Sequence, residues 1–407
     1  MKIWIIITQY PPNITAGLGR YAQVMFPAIA ASEQVHVGTL NTGNLQRIEE
    51  RDGLVVHRPV SWVLRLASRR GPINRETRFG FWVFVTAVIE MNLRLLPILW
   101  LAHRQDDIDL VAIHDTTNFI TLGFVEKVLR RPTVLHVHTT EFGLAPVRSI
   151  TDPLRLFPRL ERHLARRAQL VIAPTPETAR VLRDNGWGDR EHVRHVVHGS
   201  GIVGREINAD HSAGRALRHR LGIDEDAPVL VFVGRLHRQK GILPLVRAMR
   251  VVANLLPTAR LVIVGEGNHD DVYDLTLRLD LEKHVLLTGF VDQEQLADHY
   301  LMADLCVFPS IFEPFGLVAV EAMTLGRPCV LGSGFSEVFF GPDDEDPTAI
   351  RVNESDIQGF AETLVRWLMD RDQAERVGRS GCDWVATQFS WLRTCRDTVQ
   401  LYRDVIA

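Results

Sequence analysis

The chain is poor in cysteine and lysine. It has four cysteines in 407 residues, Cys306, Cys329, Cys382 and Cys395. None are spaced C-x-x-C, which excludes a four-cysteine zinc site and a thioredoxin-like redox motif. Sparse cysteine suits a reducing compartment. Only four of the 46 basic residues are lysine, a bias that reflects genome composition rather than chemistry. Charge of one sign is also missing: 46 basic against 49 acidic residues leaves a net of −3. An overall basic nucleic-acid binder is therefore excluded. The chain has no P-loop pattern, no tandem repeat and no low-complexity segment. It has no G-x-S-x-G nucleophile elbow, and Gly199-Ser200-Gly201 is too glycine-rich to stand in for one.

What is present is ordinary globular composition, 46% hydrophobic and 23% charged. The length suggests two domains. Residues 1–200 hold 25 basic and 18 acidic side chains, while residues 201–407 hold 21 and 31. Opposite signs on the two halves fit either two domains with different partners or drift in surface charge. The apolar run Met1–Thr8, closed by Pro11 and Pro12, is too short for a secretory signal and reads as a buried first strand. A cytoplasmic protein is expected.

Residues 79–103 are the most apolar stretch. Glu90, Arg94 and Pro97 interrupt it before about 20 clean residues accumulate, so it should not span a bilayer. A core helix packed on a sheet is the first reading. The flanking arginines (Arg65, Arg69, Arg70, Arg75 and Arg78) support a second: peripheral contact of the first domain with the inner face of an anionic membrane.

Apolar strands alternate with helical patterns along the chain. Strands are expected at 3–8, 35–39, 55–58, 110–114, 133–138 and 170–173, then at 229–233, 260–264, 285–288, 305–308 and 328–331. Helices are expected at 20–31, 154–167, 242–255, 270–279, 292–303, 316–325 and 357–369. β-Branched strands alternating with helices mean parallel sheets covered on both faces. Two doubly wound α/β domains would face each other across a cleft, with ligands outside the carboxyl ends of the strands. A hinge is expected near His195–Ile202.

Four groups could carry chemistry. The first is Gly234–Gly241, which follows a strand and precedes a helix. It puts Arg235 and Lys240 where an anion, above all a diphosphate, is favoured, and its glycines let the backbone approach closely. The second is Glu313-Pro314-Phe315-Gly316-Leu317 running to Glu321. Glu313 falls in the loop before a helix. Glu321 lies one and a half turns in, among apolar neighbours, where a buried acid needs a partner. Carboxylates accept well from sugar or ribose hydroxyls, and the amides of Phe315, Gly316 and Leu317 could meet a phosphate.

The third group is Ala16-Gly17-Leu18-Gly19-Arg20. It matches a dinucleotide fingerprint by letter but sits too far from its strand, so a glycine loop at a helix start is preferred. The fourth is histidine: His114-Asp115 and His136-Val137-His138 end adjacent predicted strands. His136 reads as structural and His138 as a ligand contact. His136 and His138 share a strand face, but no third metal ligand is evident and no metal is expected.

Together, Gly234–Gly241, Gly265-Glu266-Gly267, Thr288-Gly289-Phe290-Val291 and Glu313–Glu321 resemble the retaining nucleotide-sugar glycosyltransferases of family 4, with the GT-B fold of two Rossmann-like domains. Phe389-Ser390-Trp391 and Leu401-Tyr402-Arg403 add to the likeness. The resemblance implies an acceptor-binding domain at 1–198, joined by a last helix at about 387–407, and a donor-binding domain at 203–386. It implies that Arg235 and Lys240 hold a donor diphosphate and that Glu313 binds the sugar, flanked by the amides of Phe315, Gly316 and Leu317. Glu321 would bind the ribose. Gly234 and Gly265 would line the donor, Gly289 and Phe290 would frame the base, Gly17 and Gly19 would approach the β-phosphate, and His138 would meet the transferred sugar. The donor implied is a UDP-hexose or UDP-N-acetylhexosamine and the acceptor a hydroxyl of a small molecule, glycan or lipid, with no metal or other cofactor. A nucleotide-sugar epimerase or hydrolase, or a non-catalytic nucleotide-sugar binder, are the alternatives. The sequence departs from the family at His198–Ile202 and in a short loop after Pro328, so donor identity stays open.

Overall fold

The structure is a computed structural model that describes residues 1–12, 14, 17–43, 45–69, 78–138, 157–199, 212–342 and 346–407. Its contacts divide the chain into two compact units, Met1–Gly199 with Trp391–Ala407, and Ser200–Ser390.

The first unit is an eight-stranded sheet. Its strands are β1 (Lys2–Ile6), β2 (Gln34–Gly38), β3 (Ile48–Arg51), β4 (Leu54–His57), β5 (Leu110–His114), β6 (Thr133–His136), β7 (Leu170–Ala173) and β8 (Val193–His195). The order is β3-β4-β2-β1-β5-β6-β7-β8, parallel throughout except for the β3–β4 hairpin. The central strands β5, β6 and β7 are buried along their whole length, as a sheet covered on both faces requires. One face packs Trp4, Ile6, Val111 and Ile113 against the long helix Arg78–Arg104. The other packs Ile3, Ile5 and Ala112 against helix Gly17–Ala30 and the last helix, Trp391–Ile406. The order in which successive strands are added reverses between β1 and β5, and that switch point opens a crevice at their carboxyl ends.

The second unit repeats the plan with β9 (Val229–Val233), β10 (Arg260–Val264), β11 (Val285–Gly289), β12 (Leu305–Phe308), β13 (Cys329–Leu331) and β14 (Ile350–Arg351). Their order is β11-β10-β9-β12-β13-β14, all parallel. Its switch point lies between β9 and β12.

Several sequence expectations need correction. The short strands β3, β8 and β14 were not foreseen, because two to four residues carry too little pattern. Helix Gly17–Ala30 begins at Gly17, so both glycines stand in its first turn rather than in a preceding loop. Of the expected hinge, His195 ends β8 and residues 200–202 lie outside the described residues. So does the first part of the helix expected at 154–167, which is seen as Phe157–Ala165.

Candidate active site

In the second unit the loops leaving β9, β10 and β11 are tied together by backbone. Gly234 N donates to Val264 O at 3.0 Å, Gly265 N to Gly289 O at 2.8 Å and Leu236 N to Glu266 O at 2.8 Å. This lattice demands glycine. Gly265 has φ +140°, and a Cβ there would lie 2.0 Å from the Gly234 carbonyl oxygen. Gly289, at φ +74°, turns the chain so that Phe290 stands 65% exposed beside it.

Across the switch point, Lys240 and Glu313 meet. Lys240 Nζ donates to Glu313 Oε2 at 2.6 Å, and Ser310 Oγ donates to the same oxygen at 3.1 Å. Both charges are largely withdrawn from water, with side-chain exposures of 18% and 7%. A pair this buried is stable only while both partners remain, since either charge alone would be costly. Its position follows from local backbone. Gly241, with φ +67°, ends a 3-10 turn and starts helix Ile242–Leu255. A Cβ at Gly241 would strike the Pro309 carbonyl at 1.8 Å, so the Lys240 turn lies flat against the end of β12. Buried Gln239 fixes the other side: its Nε2 donates to Phe312 O at 2.8 Å, and its carbonyl accepts from Ile311 N. Arg235 is exposed at the end of β9, and no ion pair of its side chain is found among the described residues.

Gly316 caps helix Leu317–Thr324 with φ +109°, and Phe335 occupies the space a Cβ would need. The amides of Gly316 and Leu317 precede the first helical hydrogen bonds. The Phe315 ring turns away into an aromatic group with Phe339 and Phe389, so only its backbone can serve a ligand at this helix start. Glu321 is 1% exposed, and Tyr300 Oη donates to its Oε2 at 2.8 Å. Sequence reasoning asked for that partner without finding it. It also missed Ser310 and Gln239, whose only signal was their place at the ends of β12 and of the Gly234–Gly241 turn.

The first unit gathers histidines at its own switch point. His114 ends β5 and is in register with His136 on β6, and their rings stack at 4.4 Å and 9°. One of His114 Nδ1 and His138 Nε2 donates to the other at 2.8 Å, and His138 N donates to Asp115 Oδ1. His136 Nε2 lies 2.6 Å from Tyr402 Oη of the last helix. Tyr21 packs at 4.6–4.7 Å on His138 and His198. Burial pushes His138 down to about 3. Burial first, and neighbouring imidazoles second, hold His114, His136 and His198 well below the ordinary histidine range. All four are neutral at neutral pH. His114, which the sequence placed on the adjacent strand but not within reach of the pair, is the third imidazole: its ligand atom and those of His136 and His138 lie within 4.8 Å of one another. Register across two strands brings it there. The cluster is held by ring stacking and by the His114–His138 and His136–Tyr402 hydrogen bonds.

Two family matches agree with this architecture. Residues 16–199 match the family "Glycosyl transferase 4-like domain" and residues 215–384 match "Glycosyl transferases group 1". A glycosyltransferase of Methanocaldococcus jannaschii is 26% identical over 99% of this chain and 98% of its own. The alpha-D-kanosaminyltransferase of Streptomyces kanamyceticus is 26% identical over 69% of this chain and 72% of its own. In fold, sucrose-phosphate synthase from Thermosynechococcus elongatus matches with a TM-score of 0.76 at 23% identity, over 99% of this chain and 98% of that one. Anabaena HepE, solved with UDP and glucose, matches at 0.70 and 19%, over 98% of each chain. The chain is a glycosyltransferase of the GT-B type.

Proposed function

We propose that the chain is a retaining glycosyltransferase that moves a hexosyl or N-acetylhexosaminyl group from a nucleoside diphosphate sugar to an acceptor hydroxyl. UDP is the first choice of nucleotide, supported by the UDP and glucose bound to HepE. The observation that carries the reading is the Lys240–Glu313 pair at the β9/β12 switch point, with Arg235 exposed at the end of β9.

A donor would separate that pair's duties. Lys240 exchanges Glu313 for a diphosphate oxygen, and Arg235 joins it. Glu313 turns to the sugar hydroxyls, assisted by the amides of Phe315, Gly316 and Leu317. Glu321 takes the ribose, and the Gly234, Gly265 and Gly289 turns admit the nucleotide, with Phe290 at the base. In the first unit, Gly17 and Gly19 approach the β-phosphate, and neutral His138 hydrogen-bonds the sugar without acting as an acid.

In transfer, the bond from the anomeric carbon to the phosphate oxygen breaks. A bond to the acceptor oxygen forms on the same face, and the acceptor proton passes to the departing phosphate. The two cations stabilise the charge on that leaving group. No metal is assigned to the step. The test is a thermal-shift panel of UDP-, GDP-, ADP- and dTDP-sugars followed by product analysis. The true donor at about 100 times its dissociation constant stabilises by about 2.7 kcal/mol. If no donor shifts the melting curve, the reading fails. If a donor is consumed with no acceptor glycosylated, the epimerase or hydrolase replaces it.

A further inference from the structure

Helix Arg78–Arg104 is apolar on both sides. Toward the sheet it buries Ala87, Val88, Met91, Leu95 and Leu99. It is fastened there by Asn92, which donates to Asn118 Oδ1 and accepts from the Thr121 amide and hydroxyl. The outward stripe of such a helix is ordinarily polar. Here Phe79, Trp82, Leu93, Pro97 and Trp100 lie on it, all exposed, in two groups separated by Thr86 and Glu90. The neighbouring helix Trp62–Ser68 extends the patch. Glu90 accepts from its first amides, Trp62 N and Val63 N, which holds exposed Trp62 beside the stripe.

The charges left without an ion-pair partner around this patch, among the described residues, are positive. Glu90 is neutralised by Arg94 and Asp106 by Arg131. Arg65, Arg69 and Arg104 are exposed, and none has a carboxylate partner among the described residues. Arg65 and Arg104 lie over the rings of Trp62 and Trp100. Tryptophan is the side chain that favours the boundary between headgroup and hydrocarbon, and arginine adds attraction to anionic lipid. This helix is the one, among the described residues, long and apolar enough to cross a membrane. Its inner face is committed to the sheet and, through Asn92, to the turn and short helix after β5, so it can lie on a bilayer but not through it.

We propose that this face is a docking surface for an anionic lipid bilayer, entered by Trp62, Trp82 and Trp100 and flanked by Arg65, Arg69 and Arg104. The proposal is independent of the transferase reading, because none of these side chains belongs to either strand-end site.

The experiment is co-sedimentation of the full chain with phosphatidylcholine vesicles, with and without phosphatidylglycerol, alongside sedimentation velocity without lipid. Binding is expected only to the anionic vesicles, weakening as salt rises. Trp82→Ser with Trp100→Ser should reduce it at least about tenfold. Arg65→Glu with Arg69→Glu, which leaves the apolar contacts in place, should reduce it by about fivefold or more per cation. The thermal shift produced by a nucleotide sugar should be unchanged in both variants. Three results overturn the proposal: no binding to either vesicle, binding unaffected by both variants, or a lipid-independent dimer that the tryptophan substitutions dissociate. The last would assign the face to a second copy of the chain.

Discussion

At the end of β12 an ammonium and a carboxylate are held 2.6 Å apart, whereas around the ends of β5 and β6 four imidazoles are held together with no charge between them. The construction differs as well. The second unit shapes its site with backbone, through glycines at Gly241, Gly265 and Gly316 that admit no Cβ. The first unit uses side chains, with Tyr21, Tyr402 and the histidines stacked on one another. On the proposed reading the second unit receives a charged leaving group, for which fixed cations are suited, and the first unit meets a neutral sugar, for which uncharged hydrogen-bonding groups are suited. Substitutions in the two places should therefore fail in different ways.

The largest effect is expected at the charged pair. Lys240→Ala and Glu313→Ala should each lower kcat/KM of the folded enzyme by about 10²–10³-fold or more, the range seen when one charge-stabilising group is removed, and should lower its melting temperature because the remaining charge stays buried. The double variant should be far from additive, because each single change already breaks the pair. His138→Ala in the neutral site should cost less. Turnover near wild type in either Lys240→Ala or Glu313→Ala would remove the pair from the mechanism.

Acid should separate the units next. The buried histidines are neutral when folded and titrate near 6.5 when unfolded. Their contribution to stability is thus complete above about pH 6.5 and is lost as pH falls toward the folded value, about 3 for His138. At about pH 4.5 that residue alone should cost roughly 2–3 kcal/mol. Hydrogen exchange at neutral and acid pH should show the first unit opening before the second, and His138→Gln should flatten the dependence. If the second unit opens first, the electrostatic contrast is wrong.

A smaller effect tests the backbone lattice. Gly265→Ala places an L-residue at φ +140° and a methyl against the Gly234 carbonyl. The strain alone is worth about 1–3 kcal/mol. Melting should show it, and nucleotide-sugar affinity should fall with it.

These contrasts also explain what the sequence could and could not reveal. The second unit's site comes from short contiguous segments, each following one strand, so Arg235, Lys240, Glu313 and Glu321 can be picked out by position and charge. Their pairing could not, because residues 240 and 313 are joined only by the parallel neighbours β9 and β12. The first unit's cluster depends on register across β5 and β6 and on a helix from the far end of the chain. His114, His136 and Tyr402 are 22 to 266 residues apart along pairs of that contact, and no local pattern links them. The long apolar helix was legible as a core element from its composition. That its outward stripe is apolar too could be seen only once Asn92 fixed which side faces the sheet.

Tyr402→Phe is the mildest change and tests that last link. It removes the hydroxyl 2.6 Å from His136 Nε2 and leaves the ring in its fully buried place. One buried hydrogen bond is lost and one imidazole nitrogen goes unpaired, a cost of about 1–2 kcal/mol. The last helix keeps its other ties, Arg403 to Glu33 and Thr394 Oγ1 to Val197 O. Hydrogen exchange should therefore rise in Trp391–Ile406 and at the end of β6 without global unfolding. An unchanged profile would mean that apolar packing of Val399 and its neighbours holds the helix. The Tyr402–His136 contact would then serve only to set the imidazole's tautomer, which a ring-nitrogen NMR measurement on the same variant distinguishes.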